Sequence, residues 1–158
     1  MKKSLIVLAL LAAASAASAA DLTLSGGSYK GTQRYGVGIE TAPVYVNGNF
    51  SVVPFFELAN LHRQDRDVVQ LSATPMLRYH LTPALYAEGG IGASALSKTS
   101  LGDQRFSSAF QFQSTLGVGY RFNDALSVSY RLSHTSNGGI EKPNDGIDMQ
   151  SVVVTLKF

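Results

Sequence analysis

The sequence contains no cysteine, which excludes disulfide scaffolds, thiolate zinc sites and thiol nucleophiles together. It has no tryptophan, and only 15% of its residues are charged, against about 25% in ordinary soluble domains. Neither sign of charge dominates: 13 Lys and Arg face 11 Asp and Glu. A net +2 is too small to imply a nucleic-acid partner. No Gly-rich loop sits between a strand pattern and a helix pattern, so nucleotide binding has no support. No His/Asp cluster has metal-ligand spacing, so neither a metal nor another cofactor is expected. After residue 20 no apolar run approaches the ~20 residues of a membrane-spanning helix.

What is present begins with a leader. Met1-Lys2-Lys3 is basic, the stretch from Leu5 to Ala14 is apolar, and Ala17-Ser18-Ala19 fits the small-x-small cleavage rule. Residues 1–20 therefore read as a signal peptide and 21–158 as a single domain. Without Lys2 and Lys3 that domain holds 11 basic and 11 acidic residues and is formally neutral. A short basic and Ala-rich leader points to the bacterial envelope.

The domain alternates apolar and polar residues with period two. Phe110, Phe112, Leu116, Val118, Tyr120 and Phe122 interleave with Gln111, Gln113, Thr115, Gly117, Gly119 and Arg121. Leu126, Val128, Tyr130 and Leu132 interleave with Ser127, Ser129 and Arg131. Similar patterns predict eight strands, near 21–30, 32–41, 50–62, 68–81, 84–97, 107–122, 125–136 and 147–158. The polar face is rich in small residues. It also carries Arg34, Arg78, Arg121 and Arg131 with Glu40, Glu57 and Glu88, which could pair inside a narrow lumen. Small residues suit an eight-stranded interior barely wide enough for side chains. The expected fold is thus all-β, an eight-stranded antiparallel outer-membrane β-barrel with its apolar face outward. A secreted β-sandwich or lipocalin-like barrel is the alternative.

The connections fit the same picture. Leu81-Thr82-Pro83 and Asn123-Asp124 read as tight turns at one end. Arg63 to Asp67, Lys98 to Phe106 and Asn137 to Gly146 read as longer polar connections at the other. Short periplasmic turns with longer external loops are the bacterial barrel pattern.

One constellation carries chemistry. His134 and Ser136 lie two apart and continue the outward parity of Leu126, Val128, Tyr130 and Leu132. A polar pair that ends an apolar stripe is costly unless it is used, so it is a functional candidate. Asp148 shares the parity of Val152, Val154 and Leu156 on the last strand. Antiparallel pairing of the last two strands with His134 opposite Asp148 would also set Leu132 against Gln150 and Tyr130 against Val152. Ser136 and Asp148 would then flank His134, the order of nucleophile, base and orienting acid in a hydrolytic triad. Asn and Gly residues of the adjoining loop could supply oxyanion donors. Glu141 and Asp145 sit nearby in turn-like sequence and are weaker candidates for the acid.

The segments His134-Thr135-Ser136-Asn137 and Pro143-Asn144-Asp145-Gly146-Ile147-Asp148 resemble the outer-membrane lipid A 3-O-deacylases, the PagL family. Gly89-Gly90-Ile91-Gly92 and Gly102-Asp103-Gln104 are similar too. The resemblance implies a barrel that removes the ester-linked acyl chain at position 3 of lipid A. It implies Ser136 as nucleophile, His134 as base and Asp148 as acid, where the family usually has Glu. It also places Asn137 and Asn144 near the oxyanion hole. The implied partners are lipid A, or lipopolysaccharide, and outer-membrane lipids, with a homodimer open. An outer-membrane phospholipase and a non-enzymatic structural or adhesion barrel are the competing readings.

Overall fold

The computed structural model describes residues 20–158. The leader expected over 1–20 lies outside them, apart from Ala20. Eleven strands follow in order: β1 (Ala20–Tyr29), β2 (Thr32–Thr41), β3 (Tyr45–Asn47), β4 (Phe50–Arg63), β5 (Arg66–His80), β6 (Leu85–Leu96), β7 (Ser100–Leu101), β8 (Gln104–Arg105), β9 (Phe110–Arg121), β10 (Leu126–Ser136) and β11 (Ile147–Leu156). Eight of them form the wall, in the ring β1-β2-β4-β5-β6-β9-β10-β11, and β11 pairs back onto β1. Every neighbouring pair in the ring is antiparallel. A closed sheet has no free edge, so every wall strand finds partners on both sides. All eight fall within three residues of the ranges the alternation predicts.

The alternation maps onto inside and outside as expected. Leu71, Leu77, Ile91, Leu116, Val118, Tyr130, Leu132 and Val152 are exposed on the outer face. Ser72, Thr74, Ser94, Gln111, Gln113, Ser129 and Thr155 are buried within. Phe110 and Phe112 near one end of β9, and Tyr120 and Phe122 near the other, bracket the apolar band of that strand. Phe112 and Tyr120 are separated by about 27 Å of extended strand, close to bilayer scale once tilted.

The lumen is filled in layers. Nearest the chain termini, Arg131 donates to Glu88 (2.6 and 3.2 Å) and to Glu40 (2.9 Å), while Arg78 donates to Glu40 (2.6 Å) and Glu88 (3.0 Å). Two guanidinium groups thus share two carboxylates, and the buried cluster is neutral. Above it Arg34 pairs with Glu57 and donates to Gln70 Oε1 at 2.9 Å. Farther still, Leu61, Val68, Leu96, Leu101, Phe106, Ile147 and Met149 form an apolar plug, with Tyr29 packed against it.

Four expectations need correction. Arg121 does not join the lumen pairs; it is exposed at the rim and makes no salt bridge among the described residues. The stretch from Arg63 to Asp67 is no long loop, because Gln64 and Asp65 close a tight hairpin with φ of 47° and 57°. Such primed turns match strand twist. The stretch from Lys98 to Phe106 is not simply polar and solvated: β7 and β8 pair, and Leu101 and Phe106 are buried in the plug. The turns at the terminal end are not all short either, since β3 folds back on β4 there.

Candidate active site

The site sits where β10 and β11 leave the wall at the end away from the chain termini. Both strands are period-two sequences, and their register is the predicted one: His134 opposite Asp148, Leu132 opposite Gln150, Tyr130 opposite Val152. On the other flank His134 faces Ser114 and Ser136 faces Phe112, level with the aromatic row of β9. Inward parity gives Thr135 to the lumen, where its hydroxyl accepts a hydrogen bond from Gln70 Nε2 at 3.1 Å. Gln70 also donates to Ser94 Oγ at 2.8 Å and accepts from Arg34. The strand that carries His134 and Ser136 is therefore pinned from inside by a buried polar chain.

On the outer face His134 Nδ1 lies 2.7 Å from Asp148 Oδ1. The two side chains are 51% and 60% exposed, so the pair opens outward. A carboxylate at Nδ1 holds the proton there and leaves Nε2 as the basic nitrogen. Ser136 lies on the same face, and its Oγ accepts a hydrogen bond from Gly138 N at 3.4 Å. No hydrogen bond joins Ser136 to His134 among the described residues. Beside the imidazole a shallow cavity of about 420 Å³ is lined by Ser114, Leu116, Leu132, His134, Asp148 and Gln150, apolar toward the barrel and polar at the pair.

The loop after β10 is held by its own side chains. Asn137 is buried; its Nδ2 donates to Ser107 Oγ and to Glu141 O, both at 2.7 Å, and its Oδ1 accepts from Gly139 N at 2.9 Å. Asn144 Oδ1 accepts from Asn137 N at 3.1 Å. Both side-chain hydrogens of Asn137 are committed to the loop, and Gly138 N is the main-chain donor that bonds Ser136. Glu141 contributes its carbonyl to this network. Asp145 accepts from Arg105 N at 2.7 Å. Of the three nearby carboxylates, Asp148 is the one that reaches His134.

Two further features belong to the same rim. His62 Nδ1 lies 3.1 Å from Asp67 Oδ1, which also accepts from Asn60 Nδ2 at 3.0 Å. Arg63 grips Asp103 at 2.5 and 3.3 Å, and this hydrogen bonding holds the Asp103 carboxyl below its ordinary range. No group of three or more His, Cys, Asp or Glu side chains could hold a metal among the described residues.

A sequence model of the family described as lipid A 3-O-deacylase (PagL) matches residues 13–157. The chain belongs to this family. Its relatives include a lipid A deacylase PagL of Bordetella bronchiseptica, 41% identical over 96 residues, which are 61% of this chain and 54% of the relative. A lipid A deacylase PagL of Pseudomonas aeruginosa is 42% identical over 67 residues, 42% of this chain and 39% of the relative. The matched stretch thus spans about half or less of these curated relatives. The crystal structure of the outer membrane enzyme PagL superposes with a TM-score of 0.73 and 25% identity, covering 87% of this chain and 99% of that one. The N-terminal β-barrel domain of Pseudomonas aeruginosa OprF superposes at 0.63 with 17% identity, covering 90% and 98%, and shares the fold alone. Family and barrel together make the chain an outer-membrane β-barrel protein.

Sequence reasoning missed the residues that hold this site from behind. Gln70 was within reach, because it sits at inward parity on β5 beside purely neutral neighbours. Ser107 had no such signal and Gln104 had only the Gly102-Asp103-Gln104 resemblance, since their roles arise from how two distant loops meet.

Proposed function

We propose that the chain is a lipid A 3-O-deacylase working through Ser136, His134 and Asp148 on the lipid-facing wall of the barrel. The observation that carries this reading is the hydrogen-bonded His134–Asp148 pair on the outer face, with Ser136 beside it at the same parity. A serine side chain has one heavy-atom torsion with three staggered wells, so its hydroxyl can turn toward Nε2. Catalytic hydrogen bonds of this kind commonly tighten only with substrate bound.

In the reaction, Ser136 Oγ attacks the carbonyl carbon of the ester at position 3 of lipid A while His134 Nε2 takes its proton. Asp148 stabilises the imidazolium through Nδ1. Gly138 N, already directed at Oγ, faces the oxyanion of the tetrahedral intermediate. Collapse breaks the bond to the sugar oxygen, which takes the proton from His134, and leaves an acyl-serine. Water, deprotonated by His134, then releases the 3-hydroxy fatty acid and restores Ser136. Asn137 and Asn144 support the loop that presents Gly138 N.

The wall location suits the substrate. The end away from the chain termini faces outward in bacterial barrels, and lipid A fills that leaflet, so substrate can meet the site laterally. The test offers purified barrel a mixture of lipopolysaccharide and phospholipid, with and without a chelator. Release of 3-hydroxy fatty acid and a correspondingly lighter lipid A, unaffected by chelator, is expected. Lysophospholipid as the product would favour a phospholipase instead.

A further inference from the structure

Gly146 adopts φ +70°, and a Cβ there would stand 2.9 Å from His134 Cε1 and 3.6 Å from Nε2. The imidazole therefore leans on bare main chain at 146. Nothing in Gly146 itself can hold that main chain in place. What holds it comes from 40 residues earlier. Gln104 Nε2 donates to Gly146 O at 2.8 Å. Arg105 N donates to Asp145 Oδ2 at 2.7 Å, and Asp145 N returns a bond to Arg105 O at 3.2 Å. Phe106 and Asn144 form a β-bridge, and Phe106 is buried in the plug with Ile147.

The far end of this connection is anchored as well. Asp103 is gripped by Arg63, which also donates to Lys30 O in the β1–β2 turn and to Thr32 Oγ1 at the start of β2. Contacts thus run without a break from the β1–β2 turn through Arg63, Asp103 and Gln104 to Gly146 and the His134 ring.

The geometry points to the β6–β9 connection as a brace for the His134 imidazole, with Gln104 as its positioning residue. This inference rests on the triad reading above. One detail separates positioning from mere packing. Gln104 Oε1 is buried with no hydrogen-bond partner among the described residues. An orphaned buried acceptor carries a desolvation cost that no bond repays. Methionine would fill similar space without that cost, so what glutamine alone contributes here is the Nε2 donor on Gly146 O. Holding Nε2 of His134 at a fixed height above Ser136 preserves the alignment of base and nucleophile, on which rate depends steeply.

The experiment compares wild type with Gln104→Met and Gln104→Glu, both of which remove the donor while keeping the length. Three quantities are read: thermal stability of the barrel, kcat and KM on lipid A, and the 15N imidazole resonances of His134. Expected are folded barrels, a loss in kcat of about 10- to 100-fold with little change in KM, and His134 resonances shifted toward a tautomer average. Wild-type kcat with an unchanged His134 spectrum in either variant overturns the brace. So does a loss of kcat with an unchanged spectrum, or failure of both variants to fold, which would make Gln104 a stability residue. If the wild type leaves lipid A intact, the proposed function fails, and the His134 spectra still decide the brace on their own.

Discussion

Two histidine–aspartate pairs stand on the outer face of this barrel, His134–Asp148 and His62–Asp67. Both join Nδ1 to a carboxylate oxygen, at 2.7 and 3.1 Å, and their exposures are alike. They differ in what surrounds them. Beside His134 stand a serine hydroxyl at the same parity and a main-chain N–H aimed at that hydroxyl. Beside His62 the same carboxylate oxygen is shared with Asn60, and Lys98 Nζ caps the neighbouring Asp67 carbonyl at 3.0 Å. One pair has an imidazole beside a serine hydroxyl, whereas the other lies in a rim network with no serine among those contacts. An imidazole–carboxylate pair does not make a site without a group for the imidazole to activate.

The largest effects should come from breaking the first pair's added parts. Ser136→Ala and His134→Ala should each lower kcat by about 10³-fold or more, since triad members act as a unit. Circular dichroism should show intact barrels, because both side chains lie outside the lumen. Asp148→Asn should cost up to about 10⁴-fold by favouring the wrong tautomer. Asp148→Glu should keep substantial activity, as the family resemblance implies.

A loss of different kind is expected from the lumen. Arg131→Met leaves Glu40 and Glu88 short of a buried partner, and breaking such a pair costs about 3–5 kcal/mol. Denaturant unfolding should register that loss, while the folded fraction keeps the His134–Asp148 pair. Glu141→Gln should matter little, because Glu141 enters the loop through its carbonyl. The smallest effect belongs to the second pair: His62→Ala should change kcat on lipid A by no more than about twofold. A loss from His62→Ala comparable to that from His134→Ala would dissolve the contrast between the pairs.

Much of this was legible in the sequence. Period two fixes which residues face out, and a closed antiparallel ring leaves few registers that keep apolar side chains outside. That is why placing His134 opposite Asp148 also set Leu132 against Gln150 and Tyr130 against Val152, as the strands pair. The lumen ion pairs of Glu40, Glu57 and Glu88 were readable for the same reason. Arg121 misled because parity reports the side of the wall and not the depth. Leu101, Phe106 and Ser107 were illegible as parts of the site, and Gln104 was marked only by the Gly102-Asp103-Gln104 resemblance, with no role attached. Their neighbours are set by how two loops fold over the mouth of the barrel, and no periodicity reports that. Asn137 shows the same limit, since residue type alone does not say that both its amide hydrogens go to Ser107 and Glu141 in the loop.

The central claim is that Ser136 is a nucleophile activated by His134 and Asp148 on the outer wall. A lipid-like fluorophosphonate, presented in bilayers and read by peptide mass spectrometry, tests it most directly. Labelling of Ser136 in the wild type, lost with His134→Ala, strongly slowed with Asp148→Asn and unchanged with His62→Ala, is the predicted result. No label on Ser136, or a label formed as fast with His134→Ala as in the wild type, would contradict the account.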